Sequence, residues 1–227
     1  MIVGSGQIAT AFKSYDDDNL IIFASGVSDS NCTDPTQFVR EKKLLLKYIQ
    51  NLQDGRIVYF SSSALSFPSY SNSRYYQHKK HMEELIIQST NNYCIFRVPQ
   101  LFGSLKEHKT LINFLYYSIL NERQFRLYDE AYRYVIEIND LTNLVCDFLK
   151  YSSTPIILNV ANPYRYKVLD IVYIFEKLLN KKANYELIEK NDGYELDLSD
   201  MKSFIEEFGI KTDFCEDYLY QKLKAKV

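Results

Sequence analysis

Three side chains between residues 57 and 86 have the types and spacing to move a proton: Ser63, Tyr75 and Lys79. Tyr75-x-x-x-Lys79 sets a phenol and an ammonium on one face of a helix, because residues four apart lie one turn above each other. An ammonium beside a phenol favours the phenolate, so this spacing predicts that Lys79 lowers the Tyr75 pKa toward a value useful for acid–base work. Ser63 closes Ser61-Ser62-Ser63 at the carboxyl end of Ile57-Val58-Tyr59-Phe60, an apolar run that reads as a buried parallel strand. Its hydroxyl would hold a substrate oxygen against the phenol. Together the three suit proton transfer on and off a carbinol or carbonyl oxygen. Tyr76-x-x-x-Lys80 offers the same pair one register on, and with 20 tyrosines in 227 residues such pairs also arise by chance.

The elements that must position these residues follow from the surrounding pattern. A turn-rich stretch with Pro68, Ser69, Asn72 and Ser73 separates the serine strand from the Tyr/Lys helix, and a second apolar strand, Cys94 to Val98, follows that helix. At the other end, Met1-Ile2-Val3 opens into Gly4-Ser5-Gly6-Gln7-Ile8-Ala9, a G-x-G-x-x-A turn from strand to helix. Such glycines let the backbone approach a pyrophosphate, and the helix terminus supplies amide donors. A dinucleotide-binding fold should then place an acidic residue at the end of its second strand, about 20 residues on. Instead the chain crosses Asp16-Asp17-Asp18-Asn19, which reads as a solvated turn, and enters Leu20 to Gly26. A helix over roughly 37–53 leads from there into the serine strand.

Composition excludes other classes. A net charge of −2 with acidic and basic residues spread along the chain leaves no basic stripe for nucleic acid. No apolar run approaches the ~20 residues of a membrane span, and the first residues lack the pattern of a signal peptide. Cys32, Cys94, Cys146 and Cys215 form no CxxC and read as reduced thiols of a cytoplasmic protein. His78 and His81 lack the further ligands a metal needs, so no metal is expected, and Ser63 lacks the elbow of a hydrolase nucleophile.

The segment 57–103 resembles the extended short-chain dehydrogenase/reductase family, the NAD-dependent epimerases and dehydratases of nucleotide sugars. That family carries a strand ending in Ser-Ser, then Tyr-x-x-x-Lys-x-x-x-Glu, then a strand entering Arg-x-x-Asn-x-Tyr-Gly. Here the last motif reads Arg97-Val98-Pro99-Gln100-Leu101-Phe102-Gly103, with Gln for Asn and Phe for Tyr, and Glu83 selects Tyr75/Lys79 over the next register. Leu20 to Ser30 is similar to the family's fourth strand rather than its second. Strands two and three therefore read as missing, a loss of roughly 30 residues or more.

The resemblance implies an α/β fold: a truncated Rossmann-like parallel sheet with helices on both faces, plus a small C-terminal α+β substrate lobe. Residues 1–103 would form the cofactor core, joined by a strand returning at 156–160, and 104–227 the lobe interleaved with it. It further implies that NAD or NADP contacts Gly4, Gly6, Gln7, Ile8, Ala24, Ser25, Gly26, Tyr75, Lys79 and Val98, with binding weakened or lost because the adenosine half is gone. Ser63, Ala64, Gln100 and Arg133 would meet a nucleotide-sugar substrate. Arg133 matches the family's diphosphate clamp in Arg133-Tyr134-Val135-Ile136-Glu137, a role that suits the fork of a guanidinium. With Ala64-Leu65 where the dehydratases have Asp-Glu, the expected reaction is keto reduction of a nucleotide-linked sugar for bacterial surface polysaccharide. A 4-epimerase, or a non-catalytic module that binds a sugar nucleotide or a partner protein, is the alternative. The first strand becomes a sheet edge that needs covering, and a second copy of the chain, or its own C-terminal segment, is the expected cover. Beyond the core, helices are expected over 110–121, 168–179, 201–208 and 217–224, and strands at 124–128 and 156–162.

Overall fold

The computed structural model describes residues 1–15, 17–52, 54–67, 72–105, 110–152 and 155–227. In chain order the elements are β1 (Ile2–Val3), α1 (Gln7–Ala11), β2 (Leu20–Phe23), α2 (Pro35–Gln50), β3 (Arg56–Ser62), α3 (Arg74–Ser89), β4 (Tyr93–Val98), β5 (Gln100–Phe102) and α4 (Leu111–Leu120). They continue with β6 (Phe125–Glu137), α5 (Ile138–Tyr151), β7 (Ile156–Asn159), β8 (Arg165–Lys167), α6 (Val168–Leu179), β9 (Tyr185–Asp192), α7 (Ser199–Glu207) and α8 (Tyr218–Lys224). The chain forms two compact units. The first comprises Met1–Val98, Ile138–Val160 and Leu196–Ile210; the second comprises Pro99–Glu137, Ala161–Glu195 and Lys211–Val227.

In the first unit a parallel sheet runs in the order β1-β2-β3-β4-β7. Each parallel step needs a crossover, and α2 and α3 supply those between β2, β3 and β4. The two faces follow from the period of two along a strand. Ile57 and Tyr59 of β3 join Leu45 of α2, Met82 and Ile86 of α3 and Ile95 of β4 in one cluster. Phe60 points the other way and starts an aromatic series: Phe12–Phe60 at 5.7 Å, Phe60–Phe96 at 6.3 Å, Phe96–Phe148 at 5.9 Å and Phe148 stacked on Phe204 at 3.9 Å. The expected parallel sheet with helices on both faces is present. β1 is its edge strand, and only residues 12–19 lie between α1 and β2, too few for the ~30-residue unit of a further strand and helix. Asp16, like Gln53 and the expected turn residues Pro68 and Ser69, lies outside the described residues. Asp17 accepts from the Asn19 amide at 2.9 Å, a turn contact.

The second unit holds a mixed sheet, β5-β6-β8 with β9 alongside β6. Its core gathers Ile112, Leu115 and Ile119 of α4, Ile171, Val172 and Phe175 of α6 and Leu219 and Leu223 of α8. No helix among the described residues is long and apolar enough to cross a membrane.

Candidate active site

β2 ends at Phe23 and delivers Ala24-Ser25-Gly26; β3 ends at Ser62 and delivers Ser63 and Ala64 in a 3₁₀ turn. The β1–α1 loop closes on β2 where Gly4 adopts φ +133°; a β-carbon there would stand 2.4 Å from the Ala24 carbonyl oxygen. Only glycine permits this approach. At Gly6 a β-carbon would meet nothing within 4 Å, so the loop faces open space there. Gln7 Oε1 next to it is buried without a hydrogen-bond partner. This loop fits the diphosphate of a dinucleotide, but α1 is only five residues long and the sheet stops at β1.

α3 carries Tyr75 and Lys79 on its buried face with Met82, Glu83 and Ile86. The spacing that aligned phenol and ammonium in the sequence is realised: Lys79 Nζ lies 5.9 Å from the Tyr75 ring centre. What the sequence reasoning missed is where the ammonium's bonds go. Lys79 Nζ donates to Glu41 Oε1 at 3.1 Å and to Tyr59 Oη at 3.1 Å. Tyr59 Oη donates to the same carboxylate oxygen at 2.7 Å, and the Val27 amide donates to Glu41 Oε2 at 2.7 Å. His78 Nε2 stands 3.0 Å from Oε2, its ring stacked on Phe38 at 4.6 Å. Glu41 is fully buried at 0% exposure, and Lys79 keeps 3%.

Burial works against the Glu41 carboxylate, but the Lys79 ammonium with His78, Val27 and Tyr59 outweighs it and holds the pKa at about 2. Burial likewise pushes the Lys79 ammonium down, with Glu41 acting against that. Tyr75 corrects the sequence expectation. Its phenol is pushed up, first by burial and then by Tyr76, Glu41 and Asp29. Two causes account for this: the ring sits in an apolar cluster with Val27, Cys32, Phe38 and Tyr76, and the ammonium that should have lowered it is paired elsewhere.

The signal for Glu41 was in the sequence. Phe38, Glu41, Leu45 and Tyr48 recur at helical spacing, so Glu41 falls inside the apolar stripe of α2, and a carboxylate there must find a cation.

Ser63 is 1% exposed, and its Oγ has no hydrogen-bond partner. Ala64 is buried beside it, and Val98 ends β4, where Glu83 and Arg97 join α3 to that strand through a two-pronged ion pair at 3.0 and 2.6 Å. Arg40 Nη1 and Nη2 donate to Ser25 Oγ at 3.2 Å and to its carbonyl at 3.0 Å. Tyr75, Lys79, Gly26 and Ala24 thus stand together at the carboxyl ends of β2 and β3. Gln100 lies in β5 and Arg133 in β6, both of the second unit. The Arg133 guanidinium meets the carboxylate of Asp192, the Asp192 carbonyl at 2.6 Å and the Tyr132 carbonyl at 2.8 Å. β9 brings Asp192 alongside β6, which sets this ion pair within one sheet.

No protein-family profile matches the chain, and no curated protein sequence is similar to it. Solved structures are similar across most of its length. They include UDP-glucose 4-epimerase of Thermus thermophilus in complex with NAD, at 13% identity and TM-score 0.71, covering 96% of this chain and 80% of that one. UDP-glucuronic acid 4-epimerase of Bacillus cereus gives 14% identity and TM-score 0.75, covering 95% and 76%. dTDP-glucose 4,6-dehydratase of Bacillus anthracis gives 15% identity and TM-score 0.71, covering 96% and 74%. Identities this low speak for architecture: the chain has the fold of the NAD-dependent epimerases and dehydratases of the extended short-chain dehydrogenase/reductase type.

Proposed function

We propose that the chain reduces a keto group on a nucleotide-linked sugar, with NADH or NADPH as reductant and Tyr75 as the acid. The observation that carries this reading is Tyr75 on the buried face of α3, with Lys79 Nζ 5.9 Å from its ring centre and set beneath Gly26. A phenol held protonated gives a proton to an oxygen more readily than it takes one from an alcohol. Epimerisation needs both directions at one residue, so reduction fits better.

A reduced nicotinamide, when bound, supplies the hydride. The Gly4–Gly6 loop and Gln7 would hold its diphosphate, and Lys79, beside Gly26, would bound the nicotinamide end. Ser63 orients the substrate oxygen through the hydroxyl left unspent in its buried turn. As the carbonyl carbon gains the hydride, the C=O π pair moves to oxygen. That oxygen takes the proton from Tyr75 Oη, and solvent restores it.

The test supplies NADPH deuterated at C4 and a UDP- or dTDP-linked 4-keto sugar, then measures deuterium in the sugar by mass spectrometry. Deuterated product is expected. Tyr75→Phe should lower the rate by about 10²–10⁴, the usual contribution of a positioned acid, and full turnover in that variant would sink the mechanism. The absence of a strand beyond β1 favours a second reading, a module that binds the sugar nucleotide without redox chemistry. Sugar-nucleotide binding with no detectable NADH or NADPH binding would select it.

A further inference from the structure

Glu41 stands outside every role assigned above, yet it is the most heavily bonded side chain near Tyr75. All of its partners lie within the first unit, on three segments: Val27 after β2, Tyr59 on β3, and His78 and Lys79 on α3, with Glu41 itself on α2. A β-carbon on Gly26 would stand 2.6 Å from Lys79 Nζ and 2.9 Å from Glu41 Oε1, so this ion pair underlies the turn that ends β2. We propose that Glu41 is a positioning residue: its buried carboxylate pins Lys79 beneath Gly26 and offsets the ammonium's charge toward Tyr75. The proposal rests on the keto-reductase reading for its catalytic meaning, though not for its geometry.

The charged and titratable groups around the pair leave the assignment to Glu41. Tyr75 faces Tyr76 edge-on at 5.0 Å and feels Glu41 and Asp29, all of which oppose phenolate. Lys79 feels Glu83 and Arg40 besides Glu41, at longer range than the 3.1 Å bond. An opposite charge within about 4–6 Å shifts a titration by roughly one to three units. Lys79 is placed to do this to Tyr75 and does not, because the carboxylate is nearer to it. Two of its three ammonium donors are used by Glu41 and Tyr59, which leaves one for a ligand.

The experiment labels tyrosines with ¹³C at Cζ in the full chain, assigns Tyr75 by its loss in Tyr75→Phe, and follows it with pH in the wild type and in Glu41→Gln. Glutamine keeps the shape and removes the charge. In the wild type the resonance is expected not to titrate at or below the ordinary 10.0. In Glu41→Gln its midpoint should fall by about one to three units, and oxidation of the corresponding alcohol by NADP⁺ near neutral pH should rise. A folded Glu41→Gln protein with an unmoved Tyr75 midpoint overturns the proposal. Where that variant fails to fold, Glu41→Gln/Lys79→Gln replaces the pair by two amides. The midpoint should then match the wild type, and a rise would mean that the lysine charge reaches Tyr75 already, which also overturns it. A shifted phenol together with no hydride transfer to any keto sugar leaves Glu41's role standing and removes the reductase reading alone.

Discussion

The Glu41 carboxylate is fully buried against Lys79, and its titration should be visible in the stability of the protein. The Glu41 carboxyl titrates at about 2 in the folded chain against an ordinary 4.5. The unfolded chain therefore takes up this proton more readily than the folded one. Its contribution to stability is complete above about 4.5 and drains away as pH falls toward 2. The size is of order 3 kcal/mol, at about 1.4 kcal/mol per unit. Lys79 stays protonated across that window, so its own shift does not enter. Urea unfolding of the wild type and of Glu41→Gln at a series of pH values reads this directly: the wild-type advantage should shrink between pH ~5 and ~2. Parallel curves for the two proteins would show that Glu41 is not the group being titrated.

At the scale of elements, the two faces of the five-stranded sheet are not equivalent. The α2/α3 face is aliphatic apart from Phe23, Tyr59 and Tyr93 and carries the Glu41–Lys79 pair; the opposite face is held by the aromatic series from Phe12 to Phe204. Phe96 is central to that series and fully buried. Phe96→Ala should cost about 3–5 kcal/mol, the usual range for a buried phenylalanine, read as a lower denaturation midpoint at an unchanged urea slope. A cost below ~1 kcal/mol would mean that the neighbouring rings collapse into the gap. Much of this layer was legible. Ile57 to Phe60 alternates between faces because a strand must, and α6 begins and ends where its apolar spacing does. α5 was not read, although Leu141, Leu144, Val145, Phe148 and Leu149 repeat at the spacing of a helix face. Its first residues follow β6 directly, with no turn residue to mark where the strand's apolar run ends and the helix begins. β9 escaped for the opposite reason. Glu186, Glu189 and Lys190 give it neither an apolar run nor alternation, and it was through β9 that Asp192 reached Arg133. The placing of Tyr75 and Lys79 was legible because spacing fixes which side chains share a helix face. The state of Tyr75 was not, because it follows from burial among Val27, Cys32 and Phe38 and from charges such as Glu41, 34 positions away in the sequence.

On the scale of the whole molecule, the informative feature is what the sheet leaves out. The chain aligns with the three structural relatives named above over 95–96% of its own length but 74–80% of theirs, and only residues 12–19 separate α1 from β2. In the dinucleotide-binding fold, the strands beyond the first carry the adenosine ribose, and the first strand with its glycine turn carries the diphosphate. Among the described residues, β1 with its Gly4–Gly6 loop is the edge of the sheet and no strand lies beyond it. A dinucleotide should therefore gain little from its adenosine. NADH and reduced nicotinamide mononucleotide, which lacks that half, should bind within about threefold of each other, a difference below ~1 kcal/mol. Isothermal titration of both against one preparation makes the comparison, with Lys79→Ala as control, because loss of the ammonium should weaken the two equally. A hundredfold preference for NADH, about 2.7 kcal/mol, would mean that another surface holds the adenosine. Asp17 and Asp18, in the turn that stands where the second strand would begin, would be the first side chains to change.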